Sequence, residues 1–246
     1  MANTWQLVGR SAIVTGGSRG IGLATAIALR RAGVGVLICG RSVDALDAAV
    51  ARITTATVGA PAGPVVTAVA DVGDPEQVER LVESAVEQLG GVDILINNAG
   101  VGRFSPLADL TIADWQETID TNLSGVFYCC RAAIPAMTRR GGGWIINISS
   151  LAGKHPFAGG TAYCAAKAGL NAFTEALMQE VRRDGIRVSC VLPGSVDTEF
   201  AGNQSSDEAA WKLAASDVAQ TVLDLLRHPP RSLPSRVELR PAVPRK

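Results

Sequence analysis

The chain has 246 residues, of which 47% are hydrophobic and 19% charged, and its 23 basic and 23 acidic side chains leave a formal net charge of zero. That balance excludes a disordered chain, which pairs low hydrophobicity with high net charge. It also argues against nucleic-acid or anionic-membrane partners, whose footprint is a basic excess. The length suits one large α/β domain or two small ones. Five cysteines, Cys39, Cys129, Cys130, Cys164 and Cys190, scatter through apolar stretches without a Cys-x-x-Cys pair. This spacing argues against a disulfide framework and against zinc, so buried free thiols in a reducing compartment are expected. With only His155 and His228 present, no metal centre is expected. Residues 1–14 show no basic segment followed by an apolar core, as a secretory signal would. No apolar run nears the roughly 20 residues that span a bilayer. The expectation is a cytoplasmic protein.

In chain order, Ser11–Thr15 reads as a β-branched strand that stops at Gly16-Gly17. Gly20–Ala32 reads as a helix stopped by Gly33, and Val34–Cys39 as the second strand. Ser42–Thr54 is a helix with Ser42 as its N-cap, followed by a Gly/Pro/Ala loop at Gly59–Pro64 and a third strand at Val65–Ala70. Asp74-Pro75-Glu76 opens the next helix, with Asp as cap and Pro at the first helical position. Val92–Ile96 is the fourth strand, and Thr111–Arg139 carries one or two helices. Trp144–Ile148 is the fifth strand, Tyr163–Arg183 a long helix, and Ile186–Leu192 the sixth strand. Ser216–Leu226 is the last helix. A proline-marked loop (Pro229, Pro230, Pro234) then precedes a short final strand at Arg236–Leu239. The strands are continuous apolar runs, the mark of a parallel sheet buried on both faces. Strand–helix alternation at this spacing means βαβ units. The predicted fold is therefore a single Rossmann-like doubly wound α/β domain spanning residues 1–246. Its parallel sheet has about seven strands, flanked by helices on both faces.

The chemistry starts at Thr15-Gly16-Gly17-Ser18-Arg19-Gly20-Ile21-Gly22, where the first strand turns into the first helix. Glycines there let the backbone approach a pyrophosphate, and the helix N-terminus offers free N–H groups and a positive dipole end. The turn resembles that of the short-chain dehydrogenase/reductase family. Further landmarks of that family follow in order: Asp71-Val72, Asn97-Asn98-Ala99-Gly100, Asn122 within DTNLSGVF, Ser149-Ser150, Tyr163-x-x-x-Lys167, Pro193-Gly194 and Thr198. The resemblance runs from about Val8 to Phe200. Any one motif is weak alone. The ordered set is specific because each member falls at the C-terminal end of a predicted strand or on a flanking helix, where ligands of open α/β sheets bind.

Tyr163 and Lys167 lie at i and i+4 and so share a helix face. An ammonium near a phenol favours the phenolate and lowers its pKa, which makes the phenol usable as a general acid or base. The resemblance implies the remaining roles. The catalytic serine lies about thirteen residues before the tyrosine, which is Ser150, while Ser149 supports the turn. Asn122 marks a local helix break that holds a water leading to Lys167. Gly16, Ser18, Arg19, Gly20, Ile21 and Gly22 cradle the cofactor phosphates. Asp71 and Val72 meet the adenine, and Asn98, Ala99 and Gly100 line the ribose side. Tyr163 and Lys167 also contact the cofactor, and Pro193, Gly194, Val196 and Thr198 hold the nicotinamide carboxamide.

At the end of the second strand the chain has Gly40-Arg41, where NAD-binding folds place a carboxylate. Arg41 and Arg19 suit a 2′-phosphate, since guanidinium donates in a planar fork, and NADP(H) is the expected cofactor. The implied activity is hydride transfer between nicotinamide and the carbonyl or secondary alcohol of a small substrate. The alternatives are a 3-oxoacyl-thioester reductase and a non-catalytic cofactor-binding protein on the same scaffold. His155 and Phe157 are expected near the substrate pocket, and residues 199–215, with Trp211, form a short lid. Many family members end on Val-Asp-Gly-Gly, whereas this chain ends SRVELRPAVPRK, more like reductases of small hydroxy acids and general carbonyls. The long helices at Asp114–Arg139 and Tyr163–Arg183 imply, by resemblance, a homodimer or homotetramer.

Overall fold

A computed structural model of the chain describes residues 5–61, 63–202 and 210–243. Its main sheet has seven parallel strands. In chain order these are β1 (Ser11–Thr15), β2 (Gly35–Gly40), β3 (Val65–Val69), β4 (Ile94–Asn97), β5 (Gly143–Ile148) and β6 (Ile186–Pro193). Two short strands, β7 (Val196–Asp197) and β8 (Leu213–Ala214), pair with each other, and β9 (Arg236–Leu239) completes the main sheet. The order across it is β3-β2-β1-β4-β5-β6-β9. The chain winds outward from β1 in one direction, then returns to β4 and winds in the other. The crevice between β1 and β4 is thus a topological switch point, where doubly wound folds bind ligands.

The helices are α1 (Gly20–Arg31), α2 (Val43–Ala56), α3 (Pro75–Leu89), α4 (Ile112–Ile119), α5 (Gly125–Arg139), α6 (Thr161–Val181) and α7 (Ala215–Leu226). Local chemistry sets their ends. Ser42 caps α2 by accepting the Ala45 N–H at 3.3 Å. Asp74 caps α3 by accepting from Glu76 and Gln77 N–H at 2.9 and 3.2 Å, with Pro75 in the first turn. Gly90 ends α3 in the left-handed region at φ +78°. Strand residues alternate between two apolar clusters. Ile13, Leu37 and Leu95 face a layer with α3, α5 and α6, while Val14, Ile38 and Ile96 face α1, α2 and α7. Each such fully buried aliphatic side chain contributes about 1.5–3 kcal/mol, which makes both sheet faces core and explains why the strands read as unbroken apolar runs.

The Thr111–Arg139 stretch resolves into α4, a π-helical turn at Asp120–Ser124, and α5. The widened turn contains Asn122, where the family resemblance implies a helix break. Opposite the site, at the start of β4, Asp93 is fully buried. It takes Arg10 Nη1 at 2.9 Å, Arg140 Nη2 at 3.1 Å, and the Ser11 N–H and hydroxyl at 2.9 and 3.0 Å. This ion cluster ties β1, β4 and the α5–β5 turn together at the end away from the site. The β7–β8 pair, missed in the sequence, pins the two ends of the 199–215 segment. Residues 203–209 of that segment lie outside the described residues. Among the described residues, no helix is long and apolar enough to cross a membrane, and no group of three or more His, Cys, Asp or Glu could hold a metal ion.

Candidate active site

The C-terminal ends of β1 to β6 open onto one cavity of about 1050 Å³. Gly16, Ser18, Arg19, Gly20 and Ile21 line it after β1, Arg41 after β2, and Asp71 and Val72 after β3. Asn98, Ala99 and Gly100 follow from β4, and Ser150 from β5. Tyr163 and Lys167 come from α6, and Pro193, Gly194, Val196 and Thr198 from the β6 end. Asn122 also reaches it, from the π-turn. Of the residues given a catalytic or cofactor role in the sequence, only Gly22 is not on the wall. A Cβ on Gly22 would sit 2.2 Å from the Gly16 carbonyl oxygen, and Gly16 itself takes φ +62°. The two glycines together allow the tight fold of the turn.

The turn is fastened from β4. Asn98 Nδ2 donates to the Thr15 and Gly16 carbonyls at 2.9 and 3.2 Å, while the Thr15 hydroxyl accepts the Asn98 and Ala99 N–H groups at 2.9 and 3.0 Å. Thr15 therefore holds the segments after β1 and β4 together, a role the sequence did not reveal. The N-terminus of α1 carries no side-chain cap and no acid in its first turn. Gly16 and Gly20 bring the backbone of this helix start onto the cavity wall. That arrangement fits the phosphates of a dinucleotide.

At the other end, Ser150 caps the short 3₁₀ turn Leu151–Gly153 by accepting the Ala152 N–H at 3.1 Å. Its hydroxyl also hydrogen-bonds the Tyr163 phenol. Ser149 bonds the Lys167 carbonyl and Asn171 Oδ1 at 3.3 and 2.7 Å, which ties the end of β5 to α6. Lys167 is buried, donates to the Ile148 carbonyl at 2.9 Å, and places Nζ 5.8 Å from the Tyr163 ring centre. Burial pushes the Lys167 ammonium down to about 8. The half-buried Tyr163 phenol is pushed up to about 12, because desolvation outweighs the Ser150 hydrogen bond. This differs from the sequence expectation that Lys167 sets the phenol below its ordinary value. At 5.8 Å from the ring, and donating to the Ile148 carbonyl, the ammonium does not offset the desolvation.

Asn122 is fully buried. Nδ2 donates to the Val101 and Thr118 carbonyls, both at 2.9 Å, and Oδ1 accepts the Val101 N–H at 3.1 Å. The side chain clamps the segment after β4. Asp71 accepts the Gly73 N–H at 2.9 Å. Arg41 Nη1 lies 3.8 Å from Asp71 and 3.5 Å from Glu117 on α4, and Arg19 Nη1 lies 3.7 Å from Glu199. The strand-two end thus lacks its own carboxylate, but the fold brings two from elsewhere. Phe104 and Phe200, unmarked in the sequence, pack on Tyr163 with ring centres 5.5 and 5.7 Å away. Phe157 joins Phe104 at 5.6 Å, and His155 and Trp211 line the same wall.

Comparison with known proteins agrees with this geometry. The chain is 38% identical over 202 residues to a 3-oxoacyl-[acyl-carrier-protein] reductase of Synechocystis sp., covering 82% of this chain and 80% of that one. It is 38% identical over 232 residues to glycine betaine reductase ATRR of Emericella nidulans, covering 91% of this chain but spanning only 18% of that longer relative. Among solved structures, a metagenomic short-chain oxidoreductase in complex with NADP superposes with a TM-score of 0.83 at 35% identity, covering 97% of this chain and all of the other. The profile of the short chain dehydrogenase family matches residues 10–209, and the chain belongs to that family of oxidoreductases.

Proposed function

We propose that the protein is an NADP(H)-dependent oxidoreductase moving a hydride between nicotinamide and the carbonyl or secondary alcohol of a small substrate, a ketone or hydroxy acid. The observation that carries this reading is the convergence of Ser150, Tyr163 and Lys167 in one cavity with an acid-free, uncapped helix N-terminus. A bound nicotinamide would supply the hydride, or accept it in the reverse direction. This chain's residues do the rest. The Ser150 hydroxyl orients the carbonyl oxygen, and the Tyr163 hydroxyl gives that oxygen its proton in reduction or takes it back in oxidation. The Lys167 ammonium binds the ribose hydroxyls. Asn122 fixes the loop after β4, and Pro193, Gly194, Val196 and Thr198 face the carboxamide. Arg41 and Arg19 meet the 2′-phosphate, with NADP in the metagenomic relative as support.

A 3-oxoacyl-thioester substrate is the second reading, favoured by the Synechocystis relative's activity. We read residues 1–246 as one catalytic unit with residues 199–215 as its lid. The exposed apolar side chains Ile112, Trp115 and Phe127 on α4 and α5 support a homodimer or homotetramer through these helices. The described cysteines are all free and buried, which suits the cytoplasm. The test is a panel of ketones, oxo acids and acyl thioesters with NADPH or NADH consumption as readout, run beside Tyr163→Phe. Consumption that depends on Tyr163 supports the reading. Cofactor binding without consumption of any carbonyl overturns it.

A further inference from the structure

We infer that Arg240 anchors a carboxylate on the substrate, so that the compound reduced is an oxo acid with an apolar body. The inference rests on the oxidoreductase reading above and names the substrate class for the same site. Among the described residues three arginines line the cavity: Arg19, Arg41 and Arg240. Arg19 and Arg41 follow β1 and β2, at the cofactor end. Arg240 follows β9, the opposite edge of the sheet. Five strand spacings separate β2 from β9 and four separate β1 from β9. At about 4.8 Å each, these are roughly 24 and 19 Å. Arg240 is therefore out of reach of the adenosine phosphate and the pyrophosphate. Ser150 follows β5, only two spacings or roughly 10 Å away, within range of a long side chain and a small substrate.

Local contacts aim Arg240 at that end. Leu239 pairs with Pro193, and Gly194 N–H donates to the Leu239 carbonyl at 2.8 Å. A Cβ on Gly194 would lie 3.2 Å from Pro241 and 3.3 Å from Leu151, so the segment after β9 runs beside the residue that follows Ser150. Glu238 holds Arg240 Nη2 at 2.9 Å and Lys154 Nζ at 2.6 Å. One carboxylate thus serves two cations, and the trio keeps a net positive charge. Arg240 Nη2 also lies 3.1 Å from His155 Nε2, another residue of the cavity wall. Among the described residues no hydrogen bond takes Arg240 Nε or Nη1, which leaves donors for a carboxylate. The two acids that line the cavity among the described residues, Glu199 and Asp71, pair with Arg19 and Arg41. Between the two ends, Phe104 and Phe200 pack on Tyr163 and Phe157 packs on Phe104, and Phe104 and Phe157 keep 46% and 48% of their surface exposed. Such rings suit an apolar body between the carbonyl and the anion. The reaction is C=O plus hydride plus the Tyr163 proton giving CH–OH, and the carboxylate is unchanged.

The experiment uses the NADPH-loaded enzyme with benzoylformate, benzoylacetate and 3-benzoylpropionate, each against its methyl ester. At least one acid should exceed its ester in kcat/KM by about ten- to a hundredfold, the worth of a charge-assisted hydrogen bond. Arg240→Gln should bring that ratio close to one, mainly through KM, and Arg240→Lys should restore part of it. In parallel, benzoate should bind the NADPH complex more tightly than benzamide, and Arg240→Gln should remove the difference. Native enzyme that prefers the esters, or an acid preference that survives Arg240→Gln, overturns the inference. Arg240-dependent benzoate binding with no carbonyl reduced leaves the anchor standing and refutes the oxidoreductase reading. Reduction without acid preference does the reverse.

Discussion

Raising the pH separates the two proton-bearing groups of the site. The Tyr163 phenol, pushed up to about 12, stays protonated through the whole working range. The Lys167 ammonium, pushed down to about 8, does not. It is charged below pH 8 and loses its proton above, so about one tenth of it remains charged at pH 9. If the ammonium holds the ribose, kcat/KM for NADPH in reduction is flat below pH 8 and falls about tenfold per unit above it. That parameter reports the free enzyme rather than its complexes. A lysine at its ordinary value would keep the profile flat to about pH 10. In the oxidative direction the rate at saturating cofactor rises with pH, because the phenolate is then the base. The diagnostic substitution is Lys167→Arg, whose guanidinium keeps its charge across this range and should remove the break near pH 8. Tyr163→Phe keeps the ring against Phe104 and Phe200 while removing the proton. It should cut turnover about 10²–10⁴-fold and leave NADPH affinity nearly intact. The assay is loss of NADPH absorbance with one active carbonyl substrate across pH 6–10. Near-native turnover in Tyr163→Phe, or a break near pH 8 that survives Lys167→Arg in a folded protein, refutes the reasoning.

Two other expectations use different parts of the molecule. Arg41→Ala should weaken NADPH binding about ten- to a hundredfold and leave NADH little changed. Glu117→Gln should move the ratio of the two affinities about two- to fivefold toward NADPH, since it frees Arg41 from an exposed ion pair of modest strength; cofactor fluorescence titration measures both, and equal effects on the two cofactors would remove these residues from phosphate recognition. Asp93→Asn should cost about 2–3 kcal/mol of stability in chemical denaturation, less than a wholly buried pair because Arg10 and Arg140 are partly exposed. Burial alone would raise the Asp93 carboxyl, but hydrogen bonds from Arg140, Ser11 and Arg10 hold it below its ordinary value. Its contribution is therefore present above the ordinary carboxylate range and lost as pH falls through the depressed value, and the variant should lose that part of the acid sensitivity.

What could be read from the sequence is what depends on neighbours along the chain. Apolar runs gave the strands because both sheet faces are core. The caps at Ser42 and Asp74 and the stop at Gly33 act within one turn. The glycine turn is recognisable because Gly16 and Gly22 meet each other across six residues. The break at Asn122 falls where the family resemblance places it. The partners of its amide were not legible, since Val101 lies 21 residues away. What escaped the sequence is consistently a meeting of distant segments. The Gly40-Arg41 pair reads as a strand end free of carboxylates, yet α4 supplies Glu117 and β3 is followed by Asp71, so the local field at Arg41 is shared between a cation and two anions. Phe104 and Phe200 read as unremarkable loop aromatics until β4 and β6 bring them onto Tyr163. Arg240 sits in the terminal segment whose departure from the usual family ending is visible, but a departure carries no direction. Only the pairing of β9 with β6 turns that segment toward Ser150. The strand order that places the glycine turn, Arg19 and Arg41 at one end of the cavity thus places a third arginine at the other. This is why the reaction class was legible in the motifs, whereas substrate charge had to be argued from the fold.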